Sequence, residues 1–397
     1  MKIGIFYEHQ LPRPWQPDSE LQLFQNALDQ VELADRLGVD YVWTVEHHFL
    51  EEYANSSAPE VFLAACSQRT RNIRLGHGVV LMPPGYNHPA RVAERIATLD
   101  LVSNGRVDFG TGESSAEAEL AGFGIDRTQK RAMWRESLEA VCRMMVEEPF
   151  DGYEGRYGRM PARNVVPKPV QKPHPPLWVA CSRRETIRLA AQHGIGALSF
   201  TFMSAEEARG WVDDYYRTLA AECQPIGYAI NPNLAIVTGF MCDQSADHAR
   251  AMGQTGLQYF AYALAHYYVF GSHEPGVTDI WNNYVKNPIN LPIVDGANSC
   301  VGTPDDVRKS LRAFEDAGID QVVLVSQCGK NRHEDVCASL ELFAREVMPE
   351  FKEREDRRAR EKAERMAPII ERAMSRKPAR SASAEGGSTL IQAGGLP

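Results

Sequence analysis

The run Val45-Glu46-His47-His48-Phe49 sets two imidazoles and a carboxylate side by side. Imidazole ionises closest to neutral pH of all side chains, so it can take and return a proton within one reaction cycle. The preceding stretch, Tyr41-Val42-Trp43-Thr44-Val45, predicts a strand. Alternation puts Tyr41, Trp43, Val45 and His47 on one face and Val42, Thr44 and Glu46 on the other. Glu46 and His47 therefore diverge if the strand runs that far. Neighbours on a strand cannot easily share a metal ion, and the chain contains no H-x-H or H-E-x-x-H, so no metal centre is expected. Two readings of the pair stay open: proton transfer at a site, or histidines satisfied by loop contacts.

Three further runs carry chemistry of other kinds. In Leu75-Gly76-His77-Gly78-Val79-Val80, two glycines flank a histidine inside an apolar strand. That pattern means a bulge or the close approach of a planar ligand to the backbone. Asp108-Phe109-Gly110-Thr111-Gly112-Glu113 contains G-x-G but no G-x-G-x-x-G, so a dinucleotide-binding fingerprint is not supported. Ala180-Cys181-Ser182-Arg183-Arg184-Glu185-Thr186 opens a helix, with Ser182 as N-cap and Glu185 completing a capping box. A helix start with a hydroxyl and two arginines is also suited to an anion such as phosphate, and capping and anion binding are compatible.

These runs must be positioned by regular elements. Strands are expected at residues 3–7, 41–45, 73–82, 106–110, 177–181, 197–202, 234–242 and 321–325, each followed by a helical pattern. Gly38 closes the first helix, as a C′ glycine does. Eight β–α alternations within about 350 residues predict a (β/α)₈ barrel rather than an open doubly wound sheet. In such a barrel, polar groups at the carboxyl ends of strands are site candidates. Two insertions break the rhythm. Residues 150–167 suit a hairpin after the fourth helix, and residues 267–299 suit a long lid loop before the eighth strand.

Composition bounds the rest. The 397 residues carry a net charge of −9, which argues against non-specific nucleic-acid binding. No apolar run is long enough to span a membrane, and the short apolar start does not fit a secretory signal. The eight cysteines form no C-x-x-C pair, as expected for reduced thiols in a cytoplasmic protein. From Lys352 onward, 11 basic residues face 7 acidic ones, a net of +4 that leaves −13 for the rest. The chain is therefore divided into a barrel over residues 1–351 and an extension over 352–397. The extension reads as a solvated charged helix up to Pro368 followed by a disordered tail.

Taken in order, Val45-Glu46-His47-His48-Phe49, the Gly76-to-Pro83 strand, His88-Pro89, Asn104-Gly105-Arg106-Val107-Asp108-Phe109-Gly110 and Val347-Met348-Pro349 resemble the bacterial luciferase-like flavin-dependent monooxygenases. The resemblance covers roughly residues 1–351. It implies a (β/α)₈ barrel that binds reduced FMN at the strands' carboxyl ends, with O₂ as co-substrate. It further implies that a flavin C4a-hydroperoxide oxygenates a small organic substrate. It implies His47 as catalytic base or stabiliser of the flavin peroxide, a non-prolyl cis peptide at Gly78-Val79 packed against the flavin, and phosphate contacts from Ser182 and Thr186. The cofactor-binding set expected on this basis is Glu46, His77, Gly78, Val79, Gly112, Ala180, Cys181, Ser182, Arg183 and Thr186.

The chain departs from the luciferase catalytic subunit at two positions. Glu113 stands where an arginine holds the FMN phosphate, so another donor must serve, and Arg183 or Arg184 are the candidates. Gly112 stands at the reactive cysteine position. Both differences argue for a relative with a substrate other than that of light emission. The resemblance also implies a separate flavin reductase as partner and a homodimer. The alternatives are a deazaflavin F420-dependent oxidoreductase of the same fold and a non-catalytic flavin-binding partner subunit, against which the presence of His47 argues.

Overall fold

The computed structural model describes residues 1–200, 202–288 and 299–377. Eight strands form its centre: β1 (Lys2–Tyr7), β2 (Tyr41–Thr44), β3 (Arg74–His77), β4 (Val107–Gly112), β5 (Leu177–Cys181), β6 (Gly196–Ser199), β7 (Leu234–Cys242) and β8 (Gln321–Val325). Each pairs in parallel with the next, from β1 to β8. β8 then pairs with β1, from Lys2 opposite Gln321 to Phe6 opposite Val325, and so closes the barrel. All-parallel strands buried on both faces require near-continuous apolar sequence, which Leu234–Cys242 and Gln321–Val325 supply.

Among the described residues the helices are α1 (Ser19–Leu37), α2 (Pro59–Arg69), α3 (Pro89–Val102), α4 (Glu117–Gly122), α5 (Lys130–Val146), α6 (Arg184–Gln192), α7 (Ala205–Glu222), α8 (Ala246–Ala265), α9 (Ile280–Lys286), α10 (Pro304–Asp316), α11 (His333–Glu346) and α12 (Met348–Ser375). Their ends follow local rules. Gly38 adopts φ 86° after α1, with its N–H on Asp35 O and the Val39 N–H on Ala34 O, a Schellman end. Thr303 and Asp306 cap α10 reciprocally, with Pro304 in its first turn.

The lower barrel interior is filled by Trp43 and Trp178, packed edge to face with centroids 5.3 Å apart. The Trp178 indole N–H donates to Asp108 at 2.8 Å, and Asp108 in turn accepts from Arg74 at 2.5 Å. Trp178 and Ala180 share a strand face, so the small Ala180 lies above the tryptophan towards the carboxyl ends. It is the partly exposed residue of an otherwise buried β5.

The first insertion is a hairpin between α5 and β5, with Tyr153–Glu154 antiparallel to Arg159–Met160. The second is not a structureless loop. It begins in a π-helix, His266–Phe270, that continues α8, and it contains α9. Residues 289–298 of the expected lid, like the expected tail beyond 377, lie outside the described residues. The insertion leads into a short strand, Cys300–Gly302, paired with β7, and α10 intervenes before β8.

α12 differs from the solvated helix expected. It runs through Pro368 and lies across the amino-terminal end of the barrel. Lys352 pairs with Asp40 at 2.7 Å, Lys362 with Asp320 at 2.6 Å, and Arg354 with Glu315 at 2.6 Å. The Met1 ammonium is buried against Glu315 and Glu355. Asp40 and Asp320 immediately precede β2 and β8, so the basic helix meets the acids at the strand starts. Burial of Met366 and Ala373 supplies the apolar contact that a charge count does not show. No described helix is long and apolar enough to cross a membrane.

Candidate active site

The chain leaves β2 at Thr44, still buried, and carries His47 to the carboxyl end of the barrel. There its Nδ1 lies 3.0 Å from Glu119 Oε1 and its Nε2 lies 3.6 Å from Glu8 Oε2. Glu119 comes from α4 and also accepts the His48 N–H at 2.9 Å and the Ser114 hydroxyl at 2.5 Å. Glu8 directly follows β1, is buried, and accepts the Tyr53 hydroxyl on Oε1 at 3.0 Å.

The electrostatics follow from burial and from the facing charges. Burial by itself would lower the His47 pKa, but Glu119 and Glu8 outweigh it and push it to about 9. Burial would raise Glu119, but His47 and the hydrogen bonds hold it below the ordinary carboxylate range. Glu8 has fewer partners, so burial dominates and lifts it to about 7 against the opposing pull of His47 and Tyr53. At neutral pH this arrangement favours imidazolium at His47, a group able to donate a proton before it accepts one.

Glu46 and His47 diverge, as alternation requires. Glu46 Oε2 accepts the Leu81 N–H at 2.7 Å, and its Oε1 accepts the Asn87 amide at 2.8 Å and faces His48 Nε2 at 3.2 Å. Glu46 thus fastens the segment after β3 to the segment after β2. The His48 ring packs edge-on to Phe123, with centroids 4.9 Å apart.

The other expected cofactor residues are distributed differently. The His77 ring is buried in the layer between barrel and helices, facing Glu60 of α2 and Arg95 of α3, and burial lowers its pKa to about 4. Gly78–Val79 interrupts the strand between β3 and the pair Val80–Leu81, with the Gly78 N–H on Thr44 O at 2.7 Å. The expected cis peptide is absent: this peptide is trans, and the cis bonds of the described residues all precede proline. Gly112 is packed rather than open, because a Cβ there would lie 2.4 Å from Val79 Cγ2. Cys181 is fully buried, and burial pushes its thiol up to about 12.

At α6 the cap falls one residue later than expected. Arg183, in extended conformation, is the N-cap in place of Ser182. Its N–H donates to Thr186 Oγ1 at 3.2 Å, and that hydroxyl donates to Arg183 O at 2.7 Å. Arg184 is turned to Asp214 at 2.5 Å, beside Arg188 and Arg217.

Glu113 does not stand as an isolated negative charge. Arg131 grips it with two bonds of 2.9 and 2.8 Å, and Lys130 lies 3.5 Å away. The Arg131 charge also reaches Cys181, at the end of β5 before α6. Two cations, Lys130 and Arg131, thus stand on α5 beside Glu113. Glu8, Glu119, Lys130 and Arg131 were all missed. Glu8 carried a signal, since it ends the first strand at the carboxyl end of the barrel; Glu119 lies on a six-residue helix with no periodic signature.

Comparison with known proteins agrees with this architecture. The family described as luciferase-like monooxygenase matches residues 1–321. The oxygenase component of a flavin-dependent trigonelline monooxygenase from Acinetobacter baylyi is 26% identical over 366 residues, covering 89% of this chain and 96% of that protein. The crystal structure of monooxygenase RslO1 from Streptomyces bottropensis superposes with a TM-score of 0.74 at 28% identity, over 88% of this chain and all of that one. A coenzyme F420-dependent tetrahydromethanopterin reductase from Methanopyrus kandleri shares the fold at a TM-score of 0.65 and 20% identity, covering 88% of this chain and 99% of that one. The chain belongs to the luciferase-like monooxygenase family and is an oxidoreductase of that family.

Proposed function

We propose that this protein is the oxygenating enzyme of an FMN- and O₂-dependent monooxygenase system acting on a small organic substrate. The observation that carries the reading is His47, held at the barrel mouth between two buried carboxylates. The residues present fit the cofactor. The Lys130 and Arg131 side chains, the latter within electrostatic reach of Cys181 ahead of α6, and the first N–H groups of α6 would offer a donor set suited to a phosphate dianion. Ala180 leaves the interior face of β5 open above Trp178. Arg131, Lys130 and Arg183 would hold the phosphate, with Glu113 orienting Arg131.

When bound there, reduced flavin would supply the two electrons needed for one atom of O₂ to enter the substrate and the other to leave as water. His47 delivers a proton to the departing oxygen and is reprotonated between turnovers, while Glu119 on Nδ1 fixes its ring and tautomer. Tyr53 and Tyr268, together with the helical insertion, narrow the mouth and limit water. The name "oxygenase component" borne by the trigonelline relative supports delivery of reduced flavin by a separate reductase.

Binding and product mass test the reading. The protein is titrated with reduced FMN and with reduced F420 under anaerobic conditions, then given ¹⁸O₂ and a substrate library. FMN binding with one ¹⁸O per product molecule is expected, and His47→Gln should reduce turnover about 100-fold or more. Exclusive F420 binding would replace the proposal with hydride transfer on the same fold. Undiminished turnover of His47→Gln would remove that residue from the chemistry.

A further inference from the structure

Glu8 is a buried carboxylate at the mouth with one oxygen uncommitted. Its Oε1 accepts from Tyr53, whereas Oε2 is buried and takes no hydrogen bond from any described group. Across from it, His47 Nδ1 is committed to Glu119, which leaves Nε2 as the ring nitrogen facing Oε2 at 3.6 Å. A closure of about half an ångström would make that contact a hydrogen bond, a tightening that catalytic contacts commonly undergo when substrate binds.

We propose that Glu8 and His47 act as one proton-holding pair, in which Glu8 Oε2 and His47 Nε2 share a proton and Glu8 sets the pH range over which His47 delivers it. Every titratable neighbour is consistent with this. Glu119 of α4 and Glu46 beside His47 favour imidazolium. Tyr53 and Tyr268 have phenols pushed well above their usual range by burial, so they stay protonated as donors and contribute no charge. Tyr86, after β3, is likewise raised by burial. Glu8 is thus the one carboxyl of the group whose lifted pKa, about 7, lies within working range of the imidazolium. Two groups so close titrate in macroscopic steps that belong to the pair, and between the steps one proton serves both. Glu8 is a positioning residue here, acting on the reacting atoms through His47.

The role of the pair rests on the function proposed for this mouth, but its test does not. Chain labelled with ¹⁵N-histidine is titrated without flavin, and the His47 signals are assigned by their loss in His47→Gln. In Glu8→Gln, which keeps shape and removes the charge, the His47 midpoint should fall by about one pH unit or more. The acid limb of the kcat/KM profile should disappear with it. An unmoved His47 midpoint in folded Glu8→Gln overturns the pair. If the variant does not fold, ¹³C-carboxyl titration of the unsubstituted protein decides: a glutamate titrating near 7 in step with His47 supports the pair, and its absence refutes it. Failure to bind FMN would refute the function and leave this result standing.

Discussion

Glu52 offers the most demanding test of how the mouth is held together. Its side chain is fully buried, and its backbone sits at φ 61°, a left-handed conformation unfavourable to any L residue bearing a Cβ by about 1 kcal/mol. One carboxylate serves three segments. It accepts the Arg13 N–H at 3.0 Å, the Tyr259 hydroxyl at 3.0 Å, and the Ile280 and Trp281 N–H groups at 2.7 and 3.0 Å. The last two are first-turn donors of α9 with no intrahelical partner, and a negative charge there is favoured by the helix dipole. Glu52→Gln keeps size and backbone strain but removes the charge. Its amide nitrogen must also face groups that are themselves donors. With charge-assisted bonds worth about 1.5–3 kcal/mol each, and at least one bond replaced by a clash of donors, a loss of about 3–5 kcal/mol follows. Glu52→Gly would relieve the φ cost yet forfeit every bond, and should be no more stable than the amide. Urea denaturation measures the global term, and amide exchange at Ile280 and Trp281 measures the local one. Exchange there should accelerate about 100-fold or more, and turnover should fall because α9 no longer anchors the insertion beside Tyr267 and Tyr268. Stability within about 0.5 kcal/mol of the unsubstituted protein, with unchanged exchange at both amides, would refute Glu52 as the anchor.

Three further outcomes are expected. His47 is raised from 6.5 to about 9, so its contribution is fully present below 6.5 and is lost as pH rises through 9; Glu8, raised from 4.5 to about 7, makes stability fall over the lower part of the same range. Stability should therefore decline between about pH 4.5 and 9, and the upper part, roughly 3 kcal/mol, should flatten in His47→Gln; equal slopes in both proteins would contradict the assignment. Gly110→Ala would place a Cβ 1.9 Å from the His77 carbonyl, whereas Gly78→Ala meets only ordinary contacts, the nearest at 3.4 Å. The first should unfold the protein or cost more than about 3 kcal/mol, the second should leave the melting temperature nearly unchanged, and equal melting shifts would be inconsistent with the strand packing. Ending the chain after Phe351 removes Met366, Ala373 and the Lys362–Asp320 pair from the barrel base, and should cost about 3 kcal/mol or more in thermal unfolding; an undiminished melting temperature would show that α12 contributes no stability.

Much of the fold was determined by local sequence. Apolar runs such as Gln321–Val325, the C′ glycine at 38 and the proline-led helices at 59, 89 and 304 specify elements through interactions within a few residues, and their alternation specifies the barrel. The position of His47, one strand-length beyond Tyr41 on the inward face, was legible for the same reason. Its chemistry was not. Glu8, His47 and Glu119 are separated by 39 and 72 positions, and only closure of the barrel brings their carboxylates to the two ring nitrogens. A pKa is set by burial and by charges within a few ångströms, quantities that sequence spacing does not contain. The same holds for Glu113, whose unfavourable charge in sequence is answered by Arg131 across 18 positions, and for α12, whose basic residues find their acids at the strand starts. Sequence alone determined which elements form and in what order; tertiary structure decided which charges meet, because electrostatics acts through space and the chain path through space is fixed only when the barrel closes.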